Sequence, residues 1–229
     1  MEKKFFIINF ILFALLIALD ISYIVEGGLL LKSLSSSVFV IIGVLNLIFA
    51  ILIKTKLMFP IMMSIGLIFA MLGDIILNIE FIAGAVLFGV GHIFFFIAYL
   101  FIEKFSWKDL LVSAIIFIPS MLFILLAPIF NFNSDLMVAV AVIYALIISL
   151  MTGKAISNLV KNRSLQNIII AVGSIMFFLS DLMLLLGRFA GLPVVSIICL
   201  VLYYPAEFLL AFSILIYTKE KGQINEKTE

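Results

Sequence analysis

"LGDIILNIEFIAGAVLFGVGH", residues 72–92, decides how the chain is read. Two apolar runs meet at a short polar stretch around Asn78 and Glu80. Followed outward, each run is long enough for a bilayer core of ~30 Å, which takes about 20 helical residues at ~1.5 Å each. The stretch is therefore predicted to be the turn between two transmembrane helices, with Glu80 in the solvated turn. It also holds Asp74 and the chain's only histidine, His92, at membrane depth.

The rest of the sequence agrees. The chain is 66% hydrophobic and 12% charged over 229 residues, with a mean hydropathy of +1.40. Soluble domains carry roughly 25% charged residues. The expected fold class is all-α: one integral membrane domain over 1–229, a polytopic bundle. The net charge of +1 gives no reason to expect a nucleic-acid partner. Cys199, the single cysteine, lies in an apolar run and reads as a small buried hydrophobe. No zinc-type cysteine spacing exists. The N-terminal "MEKKFFIINFILFALLIALD" lacks a small-x-small cleavage site and is expected to remain as the first helix.

Eight spans are predicted, at about 5–25, 36–53, 59–78, 82–102, 109–130, 135–153, 167–187 and 194–217. With both termini placed in the cytoplasm, the cytoplasmic segments hold Lys3, Lys4, Lys54, Lys56, Lys104, Lys108, Lys154, Lys161, Arg163, Lys219, Lys221 and Lys227. That is twelve of the fourteen Lys and Arg; only Lys32 and Arg188 fall outside. Cytoplasmic loops carry this excess of basic residues, and seven spans would spoil the partition. "GDIILNIEFIAG" (73–84) echoes "SDLMLLLGRFAG" (180–191). Four helices separate the copies, which suggests two four-helix halves in the same orientation. Pro60 starts the third span, where proline is tolerated. Pro119 and Pro205 fall inside spans and are expected to bend them, Pro205 also freeing the carbonyl of Val201.

Ionisable side chains at bilayer depth cost at least ~2.5 kcal/mol on insertion scales. Those in this chain are Asp20, Asp74, His92, Asp181 and Glu207. With no lysine or arginine placed deep in any of these spans, the acids are expected to be unpaired and in part protonated. Counted along their helices, all five fall in the outer half or the middle, which points to one polar cavity opening outward. The inner halves hold almost no ionisable residue. Helical spacing puts Asn78 on the face of Asp74, and Glu207 on that of Tyr203 and Tyr204. Ser180 precedes Asp181. Polar groups ringed by aromatics suit an amphiphile with a small head and a long chain. Asn46 and Asn78 read equally as interhelical hydrogen-bond glue. Arg188 reads as an interface anchor or as a partner for a lipid phosphate.

Four stretches together resemble the lysoplasmalogenase (YhhN-like) family of integral membrane hydrolases: "LGDIIL", "FIAGAVLFGVGHIFFFIAYL", "FFLSDLMLLLGRF" and "YYPAEFLLAFS". The resemblance carries over at Gly73, Asp74, Gly91, His92, Ser180, Asp181, Tyr203 and Tyr204. Glu207 stands where the family usually has glutamine. A Lys-Pro pair common early in the family's second helix is matched here at best by Lys32-Ser33.

The resemblance implies hydrolysis of the vinyl ether of a lysoplasmalogen to a fatty aldehyde and a glycerophospho-base. It implies no cofactor and no metal, a lysophospholipid substrate, and a multi-pass position in a bacterial cytoplasmic membrane. Vinyl ether hydrolysis starts with protonation of carbon, so it needs a neutral acid, then an anion beside the oxocarbenium ion, then water. Asp74 and Asp181 are the expected acid/anion pair, in either order. His92 is expected to assist the water. Asn78, Ser180, Tyr203, Tyr204 and Glu207 are expected to line the substrate site. Two other readings compete. One is a proton-coupled small-molecule or lipid transporter, because intramembrane acids also build relays. The other is a non-enzymatic lipid-binding or structural membrane protein.

Overall fold

Each polar break in the sequence becomes a turn between helices. In the computed structural model, which describes residues 2–226, these are α1 (Glu2–Glu26), α2 (Leu29–Leu52), α3 (Met58–Leu77), α4 (Phe81–Leu100), α5 (Trp107–Leu126), α6 (Asp135–Lys161), α7 (Leu165–Phe189) and α8 (Pro193–Glu226). All eight are long and apolar enough to cross a bilayer, and the described residues contain no strand. The protein is an integral multi-pass membrane protein. Lys227 lies outside the described residues.

The turns are built by local chemistry. Gly27 and Gly28 take positive φ of 71° and 96° and separate α1 from α2, a conformation that favours glycine. The Glu80 side chain caps α4, accepting from the backbone N–H of Ile82 (3.0 Å) and of Ala83. Ser134 and Ser164 cap α6 and α7 in the same manner. Helices α5 and α8 run on through Pro119 and Pro205.

Two boundaries differ from the sequence reading in a way that matters. Helix α2 starts at Leu29 rather than near 36, so Lys32 lies inside it and is buried. Polar residues conceal its first turns, but Ser33, Ser35 and Ser37 each donate to a carbonyl one turn back and so join the helix at little cost. Helix α6 runs on to Lys161 rather than ending near 153, and it buries Lys154 completely. Lys154 donates to Asp109 (2.8 Å) and to the Lys104 carbonyl (3.0 Å), and Lys161 donates to the other oxygen of Asp109 (2.8 Å). The expectation that this end of the bundle lacks buried ionisable groups is therefore corrected.

The helices pair as hairpins: α1–α2, α3–α4, α5–α6 and α7–α8. Helix α2 also packs on α3 and α6 on α7. Across the middle, α2 packs on α8 and α6 on α4. Exchanging helices α1–α4 with α5–α8 maps these contacts onto one another, as two related halves require. The exchange fails in two places. Helix α8 also touches α1 and α3, but among the described residues the Cα atoms of α4 stay beyond 8 Å from those of α5 and α7. The second half is thus left open where the first is closed.

The α3–α4 seam is tight because small residues line it: a Cβ on Gly91 would sit 3.1 Å from the Gly66 carbonyl oxygen. Asn9 and Asn46 bond each other through both amides (2.9 and 2.8 Å), and Asn46 also reaches the Ala211 carbonyl (3.0 Å). Asn46 therefore ties α1, α2 and α8 together, as interhelical glue does.

Candidate active site

The five levelled residues do not share one cavity. Equal depth along a helix says nothing about which way each helix turns its face, and the structure sorts the polar groups into two clusters.

The first centres on Asp74 of α3. Its Oδ2 accepts from Ser36 (2.5 Å) and from Tyr203 (2.8 Å). The Lys32 ammonium stands 3.4 Å from Oδ1 and 5.8 Å from the centroid of the Tyr23 ring, within cation–π range. The expectation that no cation reaches the buried acids is thus overturned by the early start of α2. Asp74 is 3% exposed and its pair is enclosed.

The second centres on Asp181 of α7. Its Oδ2 accepts from the Tyr144 hydroxyl (2.6 Å) and lies 3.2 Å from Nε2 of His92. The same Nε2 is 2.8 Å from the Tyr144 oxygen. Tyr144 has one proton and gives it to Asp181, so its oxygen accepts from His92, which places the imidazole proton on Nε2. The one Nε2 proton is shared between the Tyr144 oxygen and, at the longer distance, Oδ2, so both partners of Asp181 approach that oxygen. Oδ1 makes no hydrogen bond among the described residues.

The two clusters are built alike. Each aspartate takes one partner from the preceding helix of its own half, Ser36 on α2 or Tyr144 on α6. Each takes another from the last helix of the other half, Tyr203 on α8 or His92 on α4. An aromatic layer joins them: the Phe177 ring lies 4.7 Å from His92 and 5.2 Å from Tyr203, centroid to centroid. Phe88 stands edge-on to Tyr203 at 6.0 Å.

A cleft opens where the half-to-half exchange fails. It holds about 760 Å3 of empty space, its open mouth included, and is lined by residues of α3 to α7. Leu77, Phe81, Met137 and Phe189 stand at helix ends, and Tyr144, Ile148 and Asp181 lie deeper. Apart from the hydroxyls of Ser120 and Tyr144 the wall is otherwise apolar, and Asp181 is its only carboxylate among the described residues.

The sequence-predicted residues divide accordingly. Asp181 lines the cleft; His92 stands directly behind it and is 1% exposed. Asp74 and Tyr203 form the enclosed cluster. Ser180 donates to the Cys199 carbonyl (3.0 Å), tying α7 to α8. Asn78 donates to the Asp74 carbonyl in its own helix (2.7 Å). Tyr204 and Glu207 are fully buried away from the cleft wall, and neither their hydroxyl nor their carboxylate oxygens find a partner among the described residues. Asp20 is 3% exposed with Oδ1 unpartnered. Tyr144, Lys32 and Ser36 were missed as members. A tyrosine in an apolar span carries no local sign of its partner.

A model of the YhhN family matches residues 31–214. The chain belongs to the YhhN family. No curated relative and no solved structure gives a significant match. The YhhN family is the family of lysoplasmalogenases and is associated with hydrolase activity. The matched segment covers both clusters and every residue of the cleft wall.

Proposed function

We propose that this YhhN protein is a membrane hydrolase that cleaves the vinyl ether of a lysoplasmalogen. One observation carries the reading: a single carboxylate, Asp181, stands in a largely apolar, open cleft with one oxygen held by Tyr144 and His92 and the other free among the described residues. Family membership supports the same chemistry. The termini are assigned to the cytoplasm from the distribution of lysines, which puts the cleft mouth towards the outer face of a bacterial cytoplasmic membrane.

The carboxyl proton on Oδ1 passes to the alkenyl carbon β to the ether oxygen, and the adjacent carbon becomes an oxocarbenium ion. The Asp181 carboxylate left behind stabilises that cation in a low-dielectric site, where charge pairs count for more than in water. Water adds to the cation and returns a proton to Asp181. The hemiacetal then splits into fatty aldehyde and the glycerol hydroxyl. One proton is taken and one returned, so the acid is regenerated. Tyr144 and His92 act as positioning residues that keep Oδ2 occupied and turn Oδ1 into the cleft. Asp74 supports the site through Tyr203 and the Phe177 ring.

The test is aldehyde release from a 1-alkenyl lysophospholipid by the purified protein. Asp181→Asn is expected to lose at least about 100-fold of the rate, the scale of general acid catalysis, with unchanged melting. Asp74→Asn is expected to lose less. Full activity in Asp181→Asn would sink the assignment.

A further inference from the structure

Beside the cleft mouth lies a second, polar recess, which includes Asn131, Asn133 and Arg188. The two share Phe189. The Arg188 guanidinium stands 5.3 Å from the centroid of the Phe81 ring, itself part of the cleft wall. The backbone N–H of Asn131 donates to the Phe189 carbonyl (2.8 Å), which fixes the α5–α6 loop against the end of α7. Arg188 is exposed and makes no ion pair among the described residues.

Arg188 follows Asp181 by seven residues in one continuous helix. Seven residues fall about 20° short of two full turns, so both side chains leave the same face, ~10 Å apart along the axis. A glycerol skeleton spans a similar length. From an ether carbon on one end hydroxyl to phosphorus on the other is six bonds, ~7 Å at the ~1.2 Å per bond of an extended chain. A charge-assisted hydrogen bond of ~2.8 Å completes the distance.

We propose that Arg188, with Asn131 and Asn133, holds the phosphate of a single-chain glycerophospholipid whose chain lies in the cleft, and so sets which bond reaches Asp181. The occupant is one lipid. The cation matches its phosphate, the apolar cleft matches its chain, and the two-turn spacing matches the glycerol between them. This rests on Asp181 acting at the ether carbon. The consequence is selectivity: a chain bearing glycerol without phosphate enters the same cleft but is not held in register.

The experiment uses the full chain in nanodiscs and separates binding from turnover. Binding of a non-hydrolysable 1-alkyl lysophospholipid is compared with that of the matching 1-alkylglycerol, in wild type, Arg188→Gln and Arg188→Lys. The expected result is a loss of about 10- to 100-fold for the phospholipid in Arg188→Gln, the range of a charge-assisted contact. Arg188→Lys recovers part of it, and the alkylglycerol is unaffected throughout. In turnover of the 1-alkenyl lipid, Arg188→Gln raises KM more than it lowers kcat. Equal losses on both ligands would mean that Arg188 only packs on Phe81, and no loss would mean that the phosphate sits elsewhere; either overturns the proposal. Phospholipid-selective binding without aldehyde release from wild type would leave the head-group site standing and remove the hydrolase reading. Aldehyde release with binding indifferent to Arg188 would do the reverse.

Discussion

Asp74 and Asp181 are both intramembrane aspartates near the end of a helix, yet one lies beside a cation and the other lines a cleft. Burial makes the difference consequential, because a charge out of water is stable only with good partners. Removing one member of the Lys32–Asp74 pair leaves the other uncompensated. Lys32→Met is therefore expected to cost about 3 kcal/mol, the scale for breaking a buried pair. The double variant Lys32→Met/Asp74→Asn is expected to recover more than half of it, read from thermal melting in detergent. A double variant no more stable than the single one would show that Lys32 contributes by packing instead. The sequence showed both aspartates, His92 and their intramembrane depth, because charge in an apolar run is visible in a linear string. It did not show their partners, because Lys32 looks like loop and Tyr144 looks like core. A partner is a fact about azimuth and packing, which a single helix does not reveal.

At the scale of elements, the eight hydrophobic windows foretold eight helices, and the errors fall where polar residues are helical after all. Ser35 and its neighbours in α2 satisfy their own helix, and Lys154 of α6 finds Asp109 on the adjacent α5. The α3–α4 seam shapes the cleft, because a Cβ on Gly73 would lie 2.7 Å from the Phe88 ring. Phe88 is buried against Tyr203 and Phe177 and cannot swing aside freely. Gly73→Ala is expected to cost about 1–3 kcal/mol, as overpacking does, and to lower turnover by displacing that ring. Gly89→Ala is the contrast: its nearest neighbours would be 3.6 and 3.9 Å away, ordinary contact. With alanine the better helix former, this variant is expected to melt at the wild-type temperature or above it, by up to ~1 kcal/mol. Melting curves and aldehyde release for the two variants, measured side by side, check both expectations.

For the molecule as a whole, the short echo between residues 73–84 and 180–191 extends to the partners of the two aspartates. Ser36 lies 38 residues before Asp74 and Tyr144 lies 37 before Asp181. The pairing with the preceding helix therefore recurs at nearly the same spacing in both halves. Among the described residues, α6 is the one helix that α5 packs on, and the Asp109 node with Lys154 and Lys161 reinforces that seam. Asp109→Asn, which leaves Lys154 buried without its anion, is expected to lower stability by about 3 kcal/mol. Hydrogen exchange should then rise in α5 ahead of α3, α4, α7 and α8; uniform protection across the bundle would contradict this attachment. The broken exchange symmetry has one more consequence. The protein carries its own control experiment, with the same aspartate and the same two-helix donor set built twice. In one copy an ammonium lies against the carboxylate, and no room remains for a positive charge to arise there during a reaction. In the other copy no lysine or arginine pairs with the carboxylate among the described residues, and the carboxylate lines the open cleft. Helix α4 lacks, among the described residues, counterparts to the two contacts that α8 makes with α1 and α3, and the twin of a structural ion pair is thereby left where the proposed reaction would make its cation.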